Sequence, residues 1–211
     1  MTEDQLRAAV VAERRELADM LATLRPEQWD LPTLCDGWRV REVVAHTTMP
    51  FRTSSARTLV ELAKARGNFN RMADRCARRD AARLPAERLL ASLRDNIAHP
   101  WTPPAGGTHG ALSHDVIHGL DITVGLGLDR QVPPERVAMV LAGMRPRHIA
   151  FFGTDLAGIA LRATDLDWSY GTGTPVRGLA QDLLLVLCGR RLPPGRLEGN
   201  AATRLTNSRR R

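Results

Sequence analysis

His114 and His118 stand four residues apart in the run ALSHDVIHGLDITVGLG, which reads as a helix of about four turns. At that spacing both imidazoles project from one face, about one turn apart, as a metal ion requires of two ligands on a rigid element. The same spacing also suits two surface or capping histidines. Asp121, three residues after His118, offers a carboxylate that can ligate or can accept an imidazole N–H from behind; its plainer role is an exposed helix acid. His46 ends the apolar stripe of a separate short helix carrying Val40, Val43 and Val44, where it is either a third ligand or a core histidine with its hydrogen bonds satisfied. Two histidines from one helix and a third from another would make a three-ligand site in a bundle core. The open position of such a site binds a substrate oxygen, a water, or a thiol whose pKa it lowers.

The remaining reactive side chains form no second constellation. Cys35, Cys76 and Cys188 lie far apart without CxxC spacing, so they are expected as free thiols and not as a disulfide framework or a cysteine zinc cluster. No Cys-His-Asn arrangement surrounds Cys35. His99, His109 and His148 have no partner spacing and fall to the surface or to loops. Trp38 and Asp36 precede the His46 helix directly and can line the mouth of a site there, although an indole in such a position also suits the core; Trp101, Trp168 and Tyr170 are open in the same way. GTGTP at 171–175 is glycine-rich but lacks the Gly-Lys-Ser/Thr ending of a phosphate loop, and reads as a hairpin turn.

The elements that must position these groups are mostly helical. Leu6, Val10, Leu17, Met20, Leu21 and Leu24 recur at spacings of three and four, an amphipathic helix over 3–24 that Pro26 closes. The His46 helix follows the Asp36-Gly37 turn and is expected to end before Pro50. A long Arg-rich helix is expected over 53–79 with a break at Gly67, and another from Pro85 to His99. WTPPAGGTHG is a loop, the His114 helix follows it, and PPERVAMVLAGM supplies one more. These make a helical bundle over 1–150. Near Gly153 the composition changes: LAGIALRATDLDWSYGTGTPVRG alternates apolar residues around a glycine-rich turn, as a strand pair does, and LAQDLLLVLCGRR is helical. A small α/β element is therefore expected over 151–200, with a basic tail over 201–211 that frays.

At 211 residues with 43% hydrophobic content, the chain can bury a core as one large domain or one domain with an appendage, and disorder is excluded for most of it. No apolar run approaches the roughly 18 residues of a membrane span. The charged, amphipathic start is unlike a signal peptide, so a cytoplasmic protein is expected. Thirty basic residues against 23 acidic ones give +7, and all the basic residues but Lys64 are Arg, a bias that looks like a high-GC genome. Residues 52–94 alone hold a net +7, and four Arg follow in 200–211. A basic stripe with a basic tail is the footprint of a nucleic-acid or anionic-surface binder. Without interleaved aromatics or a groove-reading motif it reads first as a solvated helix face, and nucleic acid is not expected as the partner.

Three runs resemble one family. WDLPTLCDGWRVREVVAH, from Trp29 to His46, looks like the opening signature of the mycothiol-dependent maleylpyruvate isomerase-like branch of the DinB/YfiT-like metalloproteins. HDVIHGLDI stands where that branch has an E-x-x-x-H-x-x-D helix, and VRGLAQDLLLVLCGRR is similar to its C-terminal helix ending in Gly-Arg. The resemblance implies a mainly α fold, a DinB/YfiT-like four-helix bundle with a small C-terminal α/β element. It implies a divalent metal held by the residues aligning with the branch's ligands, His46, His114 and His118, and a low-molecular-weight thiol, mycothiol, as cofactor or co-substrate. Zinc is the first expectation for the metal, with nickel or iron also suited to three imidazoles.

The resemblance further implies a transferase or isomerase that presents a metal-activated thiolate to a small electrophilic substrate. His114 departs from the branch, which often has a Glu ligand there. Three neutral ligands leave the ion its full charge, which favours an anionic substrate and acidifies a bound thiol or water. Arg190, matching the Gly-Arg position, is assigned to catalysis and to anion or thiol-cofactor binding beside Trp38; otherwise it is a helix C-terminal Arg favoured by the dipole. Two alternatives stand beside this one. One is a hydrolase or biosynthetic enzyme using metal-bound water on the same fold, and the other is a non-catalytic nucleic-acid-binding protein using the 52–94 stripe.

Overall fold

The computed structural model describes residues 1–104 and 106–207, which form two compact units, Thr2–His118 and Gly119–Arg211 with Met1. The first unit opens with helix α1, Glu3–Ala22, started by a reciprocal cap: Thr2 Oγ1 accepts from the Gln5 N–H at 3.2 Å, and Gln5 Oε1 accepts from the Thr2 N–H at 2.8 Å. Its buried face holds Leu6, Val10, Leu17 and Leu21 as the periodicity requires, and also Arg14 in their midst. A 3₁₀ turn at Pro26–Asp30 buries Trp29 and leads to α2, Val40–Thr47, whose Val40, Val43, Val44 and Ala45 are all fully buried.

Helix α2 ends before Pro50, as expected. A short helix α3, Met49–Arg52, carries that proline in its first turn, where a missing N–H removes no helical bond. The expected break at Gly67 separates α4, Ser55–Lys64, from α5, Phe69–Arg83, and α6 runs over Ala86–Arg94, ending short of His99. Helix α2 packs against α5 and α6, α1 against α6, and α4 against α5. Helix α7, Gly107–Gly125, gives its residues through His118 to this unit and the rest to the second.

Much of the basic 52–94 stripe folds back on its own acids. Arg75, Lys64 and Arg79 converge on Glu61, Arg52 and Arg79 on Asp80, and Arg78 pairs with Asp74. Hydrogen bonding to Lys64, with Arg75, holds the Glu61 carboxyl below its usual range. Five of the stripe's eleven cations are thus in ion pairs with three of its four acids.

The second unit continues with α8, Pro134–Gly143, and α9, Pro146–Phe152, then turns to a sheet where the composition changes near Gly153. Strands β1 (Ile159–Ala163), β2 (Ser169–Gly171) and β3 (Thr174–Gly178) lie in the order β2-β1-β3, with β2 antiparallel and β3 parallel to β1. GTGTP is therefore not a hairpin turn. It carries the chain across the end of β1 from one side to the other, and the Thr174 N–H donates to the Gly158 carbonyl at 2.8 Å. At Gly173, with φ 124°, a Cβ would collide with that same carbonyl, and at Gly171 with the Ile159 carbonyl. Helix α10, Ala180–Leu187, is buried along its whole length and packs on α8 and β1, with its buried Gln181 and Asp182 met by the Val132 N–H and by Arg196.

Of the tail expected to fray, residues 201–207 are hydrogen-bonded: Leu192 N–H donates to the Leu205 carbonyl and Asn207 N–H to the Leu192 carbonyl, with Ala202 and Leu205 buried. Its last four residues, 208–211, with three of its Arg, lie outside the described residues. No helix among the described residues is long and apolar enough to cross a membrane. Gly173→Ala is expected to lower unfolding free energy by about 2 kcal/mol, from the strained φ and the displaced carbonyl together. A urea melt checks it, and an unchanged midpoint would mean the crossover relaxes freely.

Candidate metal centre

Helix α2 delivers His46 from its last turn, and α7 delivers His114 and His118 from one face. The three imidazoles offer ligand nitrogens that all lie within 4.8 Å of one another, with ring centroids 4.9 to 5.1 Å apart. The Nε2 atoms of His46 and His114 are 3.2 Å apart. Two nitrogens bound to one zinc-like ion at tetrahedral angles stand roughly 3.3 Å apart, so this spacing fits a shared ion without rearrangement. His46 forms the buried floor of the group, while His114 and His118 are half-buried.

Burial first, and then the neighbouring His118 and His114, push the His46 pKa well below its ordinary 6.5. It is thereby kept neutral, the form in which an imidazole ligates. Its Nδ1 is buried with no hydrogen-bond partner, so His46 is not the satisfied core histidine of the plainer sequence reading.

Two indoles wall the group. Trp38 stacks against His118 at 6.4 Å and tilts onto His46 at 5.1 Å, and its Nε1–H donates to Asp74 Oδ1 at 2.7 Å, which fixes the ring. Trp101 meets His114 edge-on at 5.4 Å. Asp36, placed at the mouth by the sequence, is exposed.

Behind His114 lies a polar chain that sequence reasoning missed. His114 Nδ1 is 3.1 Å from Asp115 Oδ1, and Asp115 Oδ2 accepts from Arg14 Nε at 2.7 Å. Arg14 also donates from Nη1 to the His99 carbonyl at 2.7 Å and lies over the Phe51 ring. The available signal was a charged residue at a core position of the α1 stripe, three before Leu17 and four after Val10, together with a carboxylate adjacent to a candidate ligand.

Asp121 and Arg190 lie in the second unit, where they form a fork. Arg190 Nε donates to Asp121 Oδ1 at 2.9 Å and Nη2 to Oδ2 at 2.7 Å, while Nη1 donates to the Cys188 carbonyl at 2.6 Å. Arg190 also lies over Phe152. Asp121 is fully buried, so it is no exposed helix acid, and Arg190 is only 12% exposed, unlike a solvated helix-end Arg. Burial pushes the Cys188 thiol up to about 12 and also raises Cys76, so neither is a thiolate near neutrality.

Residues 10–100 match the family model of the mycothiol maleylpyruvate isomerase N-terminal domain. Those residues, under half of the chain, are similar to that domain. The chain's fold is that of two solved structures. A crystal structure of a histidine-to-alanine mutant of the mycothiol-dependent maleylpyruvate isomerase matches with a TM-score of 0.61 at 11% identity, over 96% of this chain and 94% of that one. A crystal structure of the mycothiol-dependent maleylpyruvate isomerase matches with a TM-score of 0.54 at 13% identity, over the same shares of the two chains. A comparison with curated proteins finds no match.

Because His46 is neutral in the fold and protonates more readily in the unfolded chain, acid favours unfolding. Apoprotein stability is therefore complete above about pH 6.5 and declines below it by up to about 1.4 kcal/mol per pH unit. Urea melts between pH 7.5 and 5.5 should show this slope, and His46→Gln should lose most of it. Elemental analysis of protein purified without chelator should find about one divalent ion per chain, absent in His118→Ala.

Proposed function

We propose that this protein is a metal- and thiol-dependent isomerase or transferase acting on a small, anionic, electrophilic substrate, with mycothiol as the thiol. The observation that carries the proposal is the convergence of His46, His114 and His118 in a chain whose residues 10–100 match the mycothiol maleylpyruvate isomerase N-terminal domain. A zinc-type ion bound there supplies Lewis acidity, which makes a coordinating thiol or water a nucleophile near neutral pH. The residues of the chain provide the rest. Neutral His46 and its two partners donate lone pairs without offsetting the ion's charge, so the centre attracts carboxylates. Trp38 and Trp101 flank the imidazoles, keeping bulk water from a thiolate and strengthening its electrostatic hold.

Isomerisation of a cis-enoyl acid would proceed by addition of thiolate to the electrophilic carbon. Rotation about the resulting single bond follows, and expulsion of the same thiolate leaves the trans acid. Nothing is consumed, and the thiol is returned. Transfer would stop at the C–S bond, with a proton delivered to the adjacent carbon. Arg190, held by both oxygens of Asp121, is the cation we assign to the anionic end of substrate or thiol.

The test is turnover of maleylpyruvate by zinc-loaded protein with and without mycothiol. Isomerisation that needs the thiol and falls at least about a hundredfold in His118→Ala is the expected result. Turnover of esters or amides without any thiol would favour the water-using hydrolase, and a zinc-loaded protein inert to electrophiles with every low-molecular-weight thiol would sink the proposal.

A further inference from the structure

Arg14 is a charged residue, 1% exposed, at the centre of the apolar face of α1, and Asp115, which it holds, is 4% exposed. Burying a guanidinium and a carboxylate is costly even when they are paired, and an apolar pair would fill the same space without that penalty. The pair therefore calls for a reason beyond packing, and its third member supplies one. Asp115 Oδ2 faces Arg14, while Oδ1 faces the Nδ1 of His114.

We propose that Asp115, itself fixed by Arg14, is a positioning residue that holds His114 in the Nδ1–H tautomer. A carboxylate oxygen in an ion pair with arginine accepts hydrogen bonds and cannot donate, so the proton of that contact sits on His114 Nδ1. A neutral imidazole carries one N–H, which leaves Nε2 as a lone pair. That lone pair faces His46 Nε2 across 3.2 Å, the point where the imidazoles converge. The tautomer is set by the protein alone, before any ion binds; its use as a pre-formed donor rests on reading the triad as a metal centre.

Arg14 does more than hold the carboxylate in place. An uncompensated carboxylate beside the triad would lower the charge of the centre, and the buried guanidinium offsets it. Its own direction is secured independently, by the His99 carbonyl and by the face of Phe51. Asp115 thus orients His114 without adding a net negative charge. Asp115 is neither a ligand of the triad nor in reach of substrate through it, so its effect must be read on His114 and on the ion, not on a chemical step.

The experiment uses the full chain with ¹⁵N-labelled histidine, read by NMR with and without zinc, and zinc affinity from chelator competition. Wild type is expected to show His114 as Nδ1–H in both states. In Asp115→Asn the side-chain amide can donate to Nδ1, so the Nε2–H tautomer should appear, and zinc should bind roughly 10- to 100-fold more weakly at unchanged stoichiometry. The double variant Arg14→Met/Asp115→Leu replaces the pair by apolar groups, so it should fold while losing both the single tautomer and the affinity. An unchanged tautomer and affinity in both variants, with only the melting temperature shifted, would make the chain a structural ion pair and overturn the proposal. If wild type bound no zinc while Asp115→Asn still changed the tautomer, the positioning role would stand and the metal reading would fall.

Discussion

Holding three imidazole nitrogens within 4.8 Å of one another in a protein interior sets a demanding condition, because each ring must be neutral and its other nitrogen must be accommodated. His46 meets the first condition by burial: α2 presents Val40, Val43, Val44 and Ala45 to packed surroundings, and a charged imidazole on its last turn would be stranded among them. His114 meets the second condition through Asp115, which takes its second nitrogen. The rest of the first unit can be understood as the scaffold these two solutions need. Helix α2 lies on α5 and α6, and α1 brings Arg14 to α7 from a stripe that also buries Leu6, Val10, Leu17 and Leu21.

This division of labour explains which parts were legible in the sequence. The His114 and His118 spacing is a local property of one helix, so it survives folding unchanged. His46 is 68 residues from His114, and no periodicity joins them; its place beside them followed from the resemblance of the Trp29–His46 run, which carries tertiary information in a local string. Arg14 was invisible for the opposite reason. A charged residue within an amphipathic pattern looks like an imperfection of the stripe until its partner, 101 residues away, is known.

One misreading and one hidden pairing have the same root. GTGTP has the composition of a hairpin turn, but turn chemistry reports only that the backbone bends and takes positive φ, not which strand it then pairs with. The pairing of β3 with β1 is a non-local choice, visible only in the glycines that let the crossover touch the end of β1. The basic stripe likewise hides its internal pairing, because Glu61 and Asp80 gather cations from two helices and a short third. A count over a window cannot see that three acids, Glu61, Asp74 and Asp80, hold five of its eleven cations.

The charge around the triad is where these elements act together. A carboxylate ligand would lower the charge of a bound divalent ion by one unit; this chain places its carboxylate one hydrogen bond further out and offsets it with a buried guanidinium. The donors then remain neutral, while His114 gains the basicity that an accepting carboxylate confers on an imidazole. Coulomb attraction falls only inversely with distance in a poorly screened interior, so a centre that keeps its charge attracts an anionic substrate before any direct contact forms. Selectivity for acids over neutral analogues would then reside in the coordination sphere itself, and the surrounding walls, Trp38 and Trp101, are free to be apolar.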